Sequence, residues 1–574
     1  MRSKIYFTII LISIIFSAVE KSNGQSPNWL WAKSVGGSGN EVNKGVAVDD
    51  SGYVYTIGTF EGTVDFDPGP GTFNLTSAGI LDFFILKLDS AGNFVWAKSI
   101  GGTGTDAAYG VTVDASGNIY VTGRFNGQVD FDPGAGIYNL TSAGYMDVFV
   151  LNLRNTGDFN WAKSMGGTGD DEAFSVHLDN FGNVYITGYF EGTADFNPDA
   201  GIFNLTSNGG IDAFVCKLEN GGNFVWAVSF GGVLGDGGAS VAVDSSANVY
   251  TIGHFNGTVD FNPGPGTFNL SNMGGDDIYI SKLDALGNFI WAKTMGGNQT
   301  DWGTSITADV SGNIYSTGNF RGTGDFNPGA GTFNLTSAGD HDIFISSLDD
   351  SGSLKWAGSM GSSLPDYGYS IAVDAYNNIY TTGLFRNTVD FNSGAGTFNL
   401  SSGGDNDIFI SKLDSAGNFL WAKKVGGPYS DEGASIAFDH LNHLILSGTF
   451  MSHYLIFGSD TCTNNVGFGT TADVFVAMLD SGINTTAIEN FTNDNGISVY
   501  PNPASELITI SYPSLVNKNV QITITDVTGK TVYATIKLPG EKLSVDTKKF
   551  ADGIYFVQVL TTDFISNSKV IVTH

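Results

Sequence analysis

The chain has 574 residues, a formal net charge of −31, 78 glycines and 42 phenylalanines, and only 14% of its residues are charged. This length is enough for one large core and a further domain. Short runs of Val, Ile, Thr, Tyr and Phe between Gly, Asn, Asp and Ser are typical of an all-β protein. The negative charge argues against nucleic acid and anionic membrane surfaces as partners, because both are bound through cationic side chains.

The amino terminus has the three parts of a secretory signal peptide. Arg2 and Lys4 form a charged start, an apolar run follows from Ile5 to Val19, and Ser22–Gly24 forms a small polar cleavage region. The apolar run is shorter than the ~20 residues that a membrane-spanning helix needs, and no later run is longer. We therefore expect no membrane-spanning segment.

An internal repeat dominates the sequence. Seven tryptophans follow one another at intervals of 65 residues, most of them within phrases such as Phe-Val-Trp-Ala-Lys. Seven tryptophans in step indicate seven copies of one structural unit. These tryptophans are Trp31, Trp96, Trp161, Trp226, Trp291, Trp356 and Trp421.

Each copy contains four candidate strands separated by turn residues. In the second copy, Gly110–Val113 and Ile119–Phe125 flank the turn Asp114–Asn118 and predict a hairpin. Val148–Leu153 and Phe159–Met165 supply the third and fourth strands. Four antiparallel strands in each unit are typical of a β-propeller blade. The fold class that we expect is therefore all-β, with a seven-bladed β-propeller of about 65 residues per blade.

The two ends of the repeat region differ in phase. Asn28–Val35 reads as a fourth strand before any blade begins, whereas the last copy stops after its third strand, Val474–Leu479. We therefore expect the amino-terminal strand to complete the last blade and close the ring. Closure would leave no free sheet edge.

The repeat is longer than a WD-type blade, and the excess lies between the second and third strands. There, Val64–Phe66 and Thr72–Leu75 alternate around Asp67–Gly71, which predicts a small accessory hairpin on one rim. The motif recurs in six copies. The seventh copy lacks it across Ser452–Thr471, so we expect that blade to depart from the pattern.

Three recurring phrases resemble the bacterial β-propeller repeats called SBBP. They are Asp114–Gly123, Asp147–Val150 and Gly92–Ala97, and the resemblance extends over residues 28–482. It implies the fold and says little about activity, because one fold carries many functions.

The carboxyl-terminal part resembles the type A sorting domain of the type IX secretion system. The matching phrases are Val499–Pro503, Ile524–Lys530, Asp552–Val557 and Ser568–Val572. The resemblance implies a β-sandwich that is recognised by the secretion machinery, carries its cargo across the outer membrane and is then usually removed. The motif residues carried over from the family are Tyr500, Pro501, Asn502, Pro503, Gly529, Gly553 and Tyr555.

These observations predict four segments. They are a signal peptide at 1–24, a propeller at 25–482, a linker rich in Asn, Thr and Gly at 483–496, and a sorting domain at 497–574.

Carboxylates recur at fixed places in the repeat, and two hypotheses account for them. The first is structural, because an Asp at a turn or strand end accepts hydrogen bonds from nearby backbone, and one active site seldom needs seven copies. The second is weak calcium binding, one structural ion per blade, if the insert carboxylates converge with those that enter the third strand. The candidate metal ligands are Asp65, Asp67, Asp82, Asp130, Asp132 and Asp147.

A ligand site is expected where the copies differ. One variable series ends the second strand, another opens the first strand, and both should face the rim that bears the inserts. Random drift at an unconstrained rim is the alternative explanation, since single exposed aromatics are common. The candidate ligand-binding residues are Arg124, Tyr145, Tyr189, His254, Trp302, His341 and Tyr367.

The sequence contains no phosphate-binding Gly loop, no His-Glu-x-x-His motif and no Gly-x-Ser-x-Gly elbow. We therefore expect a secreted or cell-surface binding scaffold for an extracellular glycan or protein, without catalysis and without an obligatory cofactor. The alternatives are a secreted polysaccharide hydrolase or lyase, and a structural component of a surface layer.

Overall fold

The computed structural model describes residues 27–309, 311–464, 466, 468–480, 498–500, 504–511, 520–526, 530–537, 542–551, 553–560 and 565–572. Within these ranges the regular structure is all β, and no helix occurs. The chain divides into two compact units, Met1–Ile483 and Asn484–His574. The predicted signal peptide and linker lie outside the described residues.

The first unit consists of antiparallel strands that recur with the period of the sequence repeat. The first strands are Glu41–Val48, Ala107–Val113, Glu172–Leu178, Gly237–Val243, Trp302–Ala308, Tyr367–Val373 and Asp431–Phe438. The second strands are Val54–Phe60, Ile119–Phe125, Val184–Asp195, Val249–Phe255, Ile314–Asp325, Ile379–Phe385 and Leu444–Phe450. The third strands are Asp82–Leu88, Asp147–Leu153, Asn204–Leu218, Asp277–Leu283, Asn334–Leu348, Asp407–Leu413 and Asp473–Leu479.

The fourth strand of each repeat carries the repeated tryptophan. In chain order the fourth strands are Phe94–Ile100, Phe159–Gly167, Phe224–Phe230, Phe289–Gly297, Leu354–Met360 and Phe419–Val425, and Trp29–Gly37 takes this place beside the last third strand. In every repeat the hydrogen-bonded order is first, second, third, fourth. We number the repeats 1 to 7 from Glu41–Val48 onward.

The predicted insert forms a hairpin beyond the second strand. It is built from Thr63–Asp65 with Asn74–Thr76 in repeat 1, and from Gln128–Asp130 with Asn139–Thr141, Thr258–Asp260 with Asn269–Ser271, and Thr388–Asp390 with Asn399–Ser401 in repeats 2, 4 and 6. In repeats 3 and 5 the insert strands are continuous with the long second and third strands.

Repeat 7 departs from our expectation at this point. It lacks the Asp-Phe-Asp-Pro motif, yet Tyr454–Phe457 pairs with Asp460–Thr463 in a hairpin of its own. Leu455, Phe457 and Cys462 are buried there, so apolar packing supports a hairpin that the missing motif did not predict. Cys462 and Cys216 are both free and buried.

Buried apolar clusters join each repeat to the next. Neighbouring third strands face each other in these clusters, as Phe83 of repeat 1 does with Phe149 of repeat 2, whose rings stack at 4.9 Å between centroids. A cluster of the same kind joins repeat 7 to repeat 1, where Val476 and Met478 pack with Phe84 and Leu86. Burial of aromatic side chains on both faces of each sheet is the main favourable contribution to the stability of this unit.

The repeated tryptophan links one repeat to the turn of the next. Trp226 donates its indole N–H to the carbonyl of Ala285 at 3.2 Å, and its ring lies against Gly287. Gly287 has a φ of +82°, and a Cβ at this position would lie 3.0 Å from the Trp226 ring. The recurring Gly in the turn between the third and fourth strands is therefore needed both for the backbone conformation and for this close contact.

The second unit contains two antiparallel sheets. One has the order Ser498–Tyr500, Leu507–Ser511, Leu543–Asp546, and the other has the order Thr531–Lys537, Val520–Asp526, Gly553–Leu560, Ile565–Val572. A buried cluster that includes Ile508, Ile510, Ile522, Ile524 and Val557 draws side chains from both sheets. This arrangement agrees with the expected β-sandwich.

Candidate functional site

The two variable series of rim positions are cross-strand neighbours. In every repeat, a residue near the start of the first strand lies directly opposite a residue near the end of the second. The pairs are Val42 with Thr59, Ala107 with Arg124, Glu172 with Tyr189, Gly237 with His254, Trp302 with Asn319, Tyr367 with Leu384, and Glu432 with Thr449. The insert follows the second strand directly, so these pairs lie at the rim that bears the inserts.

A central cavity of about 170 Å³ is lined by residues from the first strands of all seven repeats. Lys44, Tyr109, Phe174 and Tyr369 are its large side chains, and Gly, Ala, Ser, Thr and Val supply the rest. Each of the four large residues lies two positions after a rim residue of the first strand. The cavity and the rim pairs therefore form one continuous surface, which we call the mouth.

Trp302 is the most prominent side chain of the mouth, and 42% of its surface is exposed. Its indole N–H donates to Oδ2 of Asp276 at 2.9 Å, and its ring centroid lies 5.8 Å from that of His254. Burial lowers the pKa of His254, which keeps the imidazole neutral at physiological pH although Asp276 opposes the shift. The tryptophan is thus held in a fixed orientation with part of its ring open to solvent.

A second aromatic group is formed by residues of repeats 5 and 6. The rings of His341 and Tyr367 lie 5.8 Å apart, and Tyr367 is nearly parallel to Tyr369 at 6.1 Å between centroids. Nearby, the Arg386 Nε–H donates to Oδ1 of Asn406. We call His254, Trp302, His341, Tyr367 and Tyr369 the aromatic arc, and it covers only repeats 4 to 6.

The opposite side of the mouth has a different composition. Arg124 forms an ion pair with Glu172, whose side chain is almost fully buried. The guanidinium also lies 5.8 Å from the ring centroid of Tyr109, which packs edge-on against Phe174 at 5.3 Å. Tyr189 lies 5.6 Å from Phe174. The large side chains on this side therefore contact one another.

Of the seven predicted ligand-binding residues, the structure brings His254 together with Trp302, His341 with Tyr367, and Arg124 with Tyr189. Tyr145 lies apart, with 71% of its surface exposed and its carbonyl accepting from the side chain of Asn126.

Sequence reasoning missed Lys44, Asp276, Tyr369 and Arg386. Comparison of the seven copies at one further position would have found Lys44 and Tyr369, because both stand at an equivalent position where three other copies have Ala or Thr.

The predicted metal ligands of the insert are engaged in hydrogen bonds with the backbone. Oδ1 of Asp65 accepts from the N–H groups of Asp67 and Phe73 at 3.1 and 2.8 Å, and Asp130 makes the same two bonds in repeat 2. Across the described ranges, no three His, Cys, Asp or Glu side chains form a group that could hold a metal ion. The structural role of these carboxylates is thus visible, and calcium binding stays a prediction.

Pairs of buried carboxylates occupy the junctions between repeats. One member opens a third strand, or lies within it in repeats 3 and 5, and the other opens the next first strand or precedes it by one residue. Burial raises the pKa of several of them, to about 6 for Asp147 and about 7 for Asp171. The pairs, which we call the junction carboxylates, are Asp82 with Asp106, Asp147 with Asp171, Asp212 with Asp236, Asp277 with Asp301, Asp342 with Asp366, Asp407 with Asp431, and Asp473 with Glu41.

A wider depression of about 640 Å³ lies beside the insert of repeat 6. Ser, Gly, Thr, Asn and Ala line it, without a titratable or aromatic side chain. We therefore assign the candidate site to the mouth.

In the second unit, Tyr500 lies in the strand Ser498–Tyr500, and Gly553 and Tyr555 lie in the strand Gly553–Leu560. The hydroxyl of Tyr555 donates to the carbonyl of Ala551 at 2.9 Å. Pro501, Asn502, Pro503 and Gly529 of the predicted sorting motif lie outside the described residues. No helix in the described part of the chain is long and apolar enough to cross a membrane.

Comparison with known proteins supports both resemblances. Residues 498–573 match the family described as secretion system C-terminal sorting domain, and residues 95–128 match the β-propeller repeat family SBBP.

Two curated proteins are similar to this chain over part of its length. An uncharacterized WD repeat-containing protein, L264, of Acanthamoeba polyphaga mimivirus is 26% identical over 73% of this chain and 36% of its own length. The regulatory protein FlaEY of Caulobacter vibrioides is 27% identical over 38% of this chain and 22% of its own length. The chain therefore spans about a third or less of the relatives that it matches.

A solved structure of a protein of unknown function from Bacteroides thetaiotaomicron covers 70% of this chain and 94% of its own, at 11% identity and a TM-score of 0.21. A TM-score this low supports no argument about fold or function. The sorting domain family marks proteins that are secreted or attached to the outer cell surface. The chain is therefore a secreted or surface-attached protein that contains an SBBP β-propeller repeat and ends in a sorting domain of the type IX secretion system.

Proposed function

We propose that the first unit is a closed seven-bladed β-propeller that binds an extracellular glycan at the aromatic arc, and that it has no catalytic activity. The sorting domain implies that the type IX secretion machinery exports the chain. Removal of the signal peptide and retention at the cell surface complete the proposed route.

Three observations support closure. Trp29–Gly37 pairs with Asp473–Leu479, with Lys33 opposite Val476. The N–H of Glu41 donates to the carbonyl of Ala472 at 2.8 Å, as the N–H of Asp106 does to Leu81 at the same distance between repeats 1 and 2. The central cavity has a wall from every repeat. The contact between the last repeat and the first therefore has the same form as an internal one.

The observation that carries the binding proposal is the position of Trp302. An aromatic ring that is 42% exposed leaves much apolar surface in water, yet the hydrogen bond to Asp276 holds this ring in place. A sugar presents a flat face of C–H groups with partial positive charge, which complements the negative face of an aromatic ring. The polar side chains around the ring are suited to hydrogen-bond sugar hydroxyls.

The absence of catalysis is part of the proposal and is supported by the use of the acidic groups. The buried carboxylates recur at the junctions, and most of them accept a hydrogen bond from a nearby backbone N–H group. For example, Asp106 accepts from the N–H groups of Gly102 and Asn126 at 2.7 and 2.9 Å. Groups that every repeat employs in the same way are suited to a scaffold, whereas a single active site needs groups that one repeat alone provides.

Binding is tested by screening the purified secreted protein on a glycan array, beside assays of polysaccharide cleavage. We expect glycan binding without turnover. Replacement Trp302→Ala should lower the affinity at least about ten-fold, a change that corresponds to about 1.4 kcal/mol.

Phe181→Ala is the matched control, because Phe181 is an exposed aromatic in the turn at the other end of the first strand. Equal losses of glycan affinity in Trp302→Ala and Phe181→Ala would contradict binding at the aromatic arc. Cleavage of a polysaccharide that a single rim carboxylate controls would favour the hydrolase or lyase alternative.

A further inference from the structure

The mouth concentrates cations on a strongly acidic chain. The formal charge is −31, yet three of the five arginines, Arg124, Arg321 and Arg386, lie at the rim where the second strand ends or the insert begins. Lys44 adds a fourth cation on the wall of the central cavity. Cationic side chains gathered at one opening favour the approach of anionic ligands there.

Two of these cations are neutralised by carboxylates. Arg124 is paired with Glu172, and Arg321 lies 3.3 Å from a carboxylate oxygen of Asp340. Neither guanidinium is therefore fully available to a ligand.

Lys44 is differently placed. In the described part of the chain, no carboxylate oxygen lies within 4 Å of its Nζ. Water reaches the side chain through the cavity, yet the surrounding strands desolvate it, which lowers the pKa of Lys44, and Arg124 lowers it further. The ring centroid of Tyr109 lies 5.8 Å from its Nζ. Glu432 opposes this shift without forming an ion pair with Lys44, and a ligand anion would place a counter-charge in direct contact with the ammonium.

Arg386 is the second available cation. Its Nε donates to Asn406, which orients the guanidinium beside Tyr367 and leaves the two terminal nitrogens free to bind a carboxylate or sulfate. Glu432 interacts with both Arg386 and Lys44, and Asp366 interacts with Arg386, so these groups form one cluster. Neither cation of the cluster has a carboxylate oxygen within 4 Å in the described part of the chain.

These contacts define an anionic subsite at the end of the aromatic arc. We infer that the ligand is an acidic saccharide, an inference that rests on the proposed glycan site. Its ring stacks on Trp302 or Tyr367, and its carboxylate or sulfate group binds between Arg386 and Lys44. A saccharide fits better than an acidic peptide, because the cavity wall is mostly Gly, Ala and Ser and offers no deep apolar pocket for peptide side chains.

The test compares oligogalacturonate with its methyl ester, which has the same sugar rings without the charge. Titration calorimetry with the secreted protein should give about ten-fold tighter binding of the acid at about 50 mM NaCl, and a smaller difference at about 500 mM. A sulfated galactan oligosaccharide in a third arm distinguishes sulfate from carboxylate as the preferred anion.

Variants assign the preference to the subsite. Arg386→Gln and Lys44→Gln should each reduce the preference for the acid several-fold and leave binding of the methyl ester unchanged. Trp302→Ala should weaken both. Arg154→Gln, which removes an exposed arginine from the turn between the third and fourth strands, should change neither. Unchanged melting temperatures would show that the variants are folded.

Equal affinity for the acid and its ester, with both lowered by Trp302→Ala, would overturn this inference and leave the proposed glycan site standing. Failure of all saccharides to bind would overturn both. Binding of polyglutamate as tightly as the acidic saccharides, with the same dependence on Arg386, would replace the saccharide with an acidic peptide.

Discussion

The carboxylates of Asp147 and Asp171 meet across the backbone of Gly166. Oδ1 of Asp147 and Oδ2 of Asp171 each lie 2.8 Å from the position that a Cβ on Gly166 would occupy. This arrangement explains why a glycine stands at the end of the fourth strand or directly after it, because any side chain there would collide with the junction carboxylates. The equivalent glycines, Gly36, Gly101, Gly231, Gly296, Gly361 and Gly426, each face a carboxylate in the same way.

Replacement Gly166→Ala should therefore destabilise the first unit by about 1 to 3 kcal/mol, the usual effect of overpacking in a closely packed region. The free energy of unfolding from urea titration measures it. Gly221→Ala is the control, because the nearest atom to its added Cβ is the flexible amide of Asn223 at 3.7 Å. Similar effects of the two replacements would contradict the steric account.

Acid should stabilise the first unit between pH 7 and pH 5. The pKa of Asp147 is raised to about 6 and that of Asp171 to about 7, mainly by burial. In the unfolded chain these groups titrate near 3.9. The folded state therefore holds protons that the unfolded state has released, so the free energy of unfolding falls as pH rises through about 4 to 7 and is level above that range.

Thermal unfolding at several pH values in a chelating buffer measures this dependence. Asp147→Asn should make the slope shallower, because one group with a raised pKa is removed. Replacement of the exposed Asp158 by Asn is the control. A melting temperature that rises from pH 5 to pH 7 would show that the junction pairs do not retain protons.

The insert carboxylates should act through hydrogen bonds. Asp65→Ala removes the acceptor for the N–H groups of Asp67 and Phe73 and should cost about 1 to 2 kcal/mol in the free energy of unfolding. Chelation with EDTA should leave the melting temperature of the natural protein unchanged. A decrease on chelation that calcium reverses, and that Asp65→Ala lacks, would support the calcium hypothesis instead.

The sorting domain should decide where the protein is found. A chain that ends at residue 483 should accumulate inside the outer membrane of a host with a type IX secretion system, because the machinery has no signal to recognise. Cell fractionation with antibodies against the first unit measures this. Appearance of the shortened chain in the medium at the natural level would mean that export does not need residues 498–573.

Much of the fold could be predicted from the sequence, because the repeat supplies seven copies of each element that can be compared. The step of 65 residues between Trp31 and Trp96 predicted the strand pattern, and the phase of Asn28–Val35 predicted its pairing with the last third strand. The hairpin of repeat 7 was not predicted, because its sequence lacks the turn motif. The buried side chains of Leu455, Phe457 and Cys462 stabilise it instead.

The candidate site was less accessible to sequence reasoning. Variation among the copies located Trp302 and Tyr367, but the bond from Trp302 to Asp276 joins positions 26 residues apart, and only the three-dimensional arrangement reveals it. The junction carboxylates recurred visibly in the sequence, whereas their pairing between one repeat and the next depends on how the repeats pack.

The closed ring is the basis of this account, since it brings the rims of the seven repeats to one mouth. Amide hydrogen exchange of Ala32–Val35, compared with Ala162–Met165 in the internal fourth strand of repeat 2, tests it most directly. We predict that both segments remain protected for similar times, because each is paired along a third strand. Complete exchange of Ala32–Val35 within seconds, while Ala162–Met165 stays protected, would contradict closure.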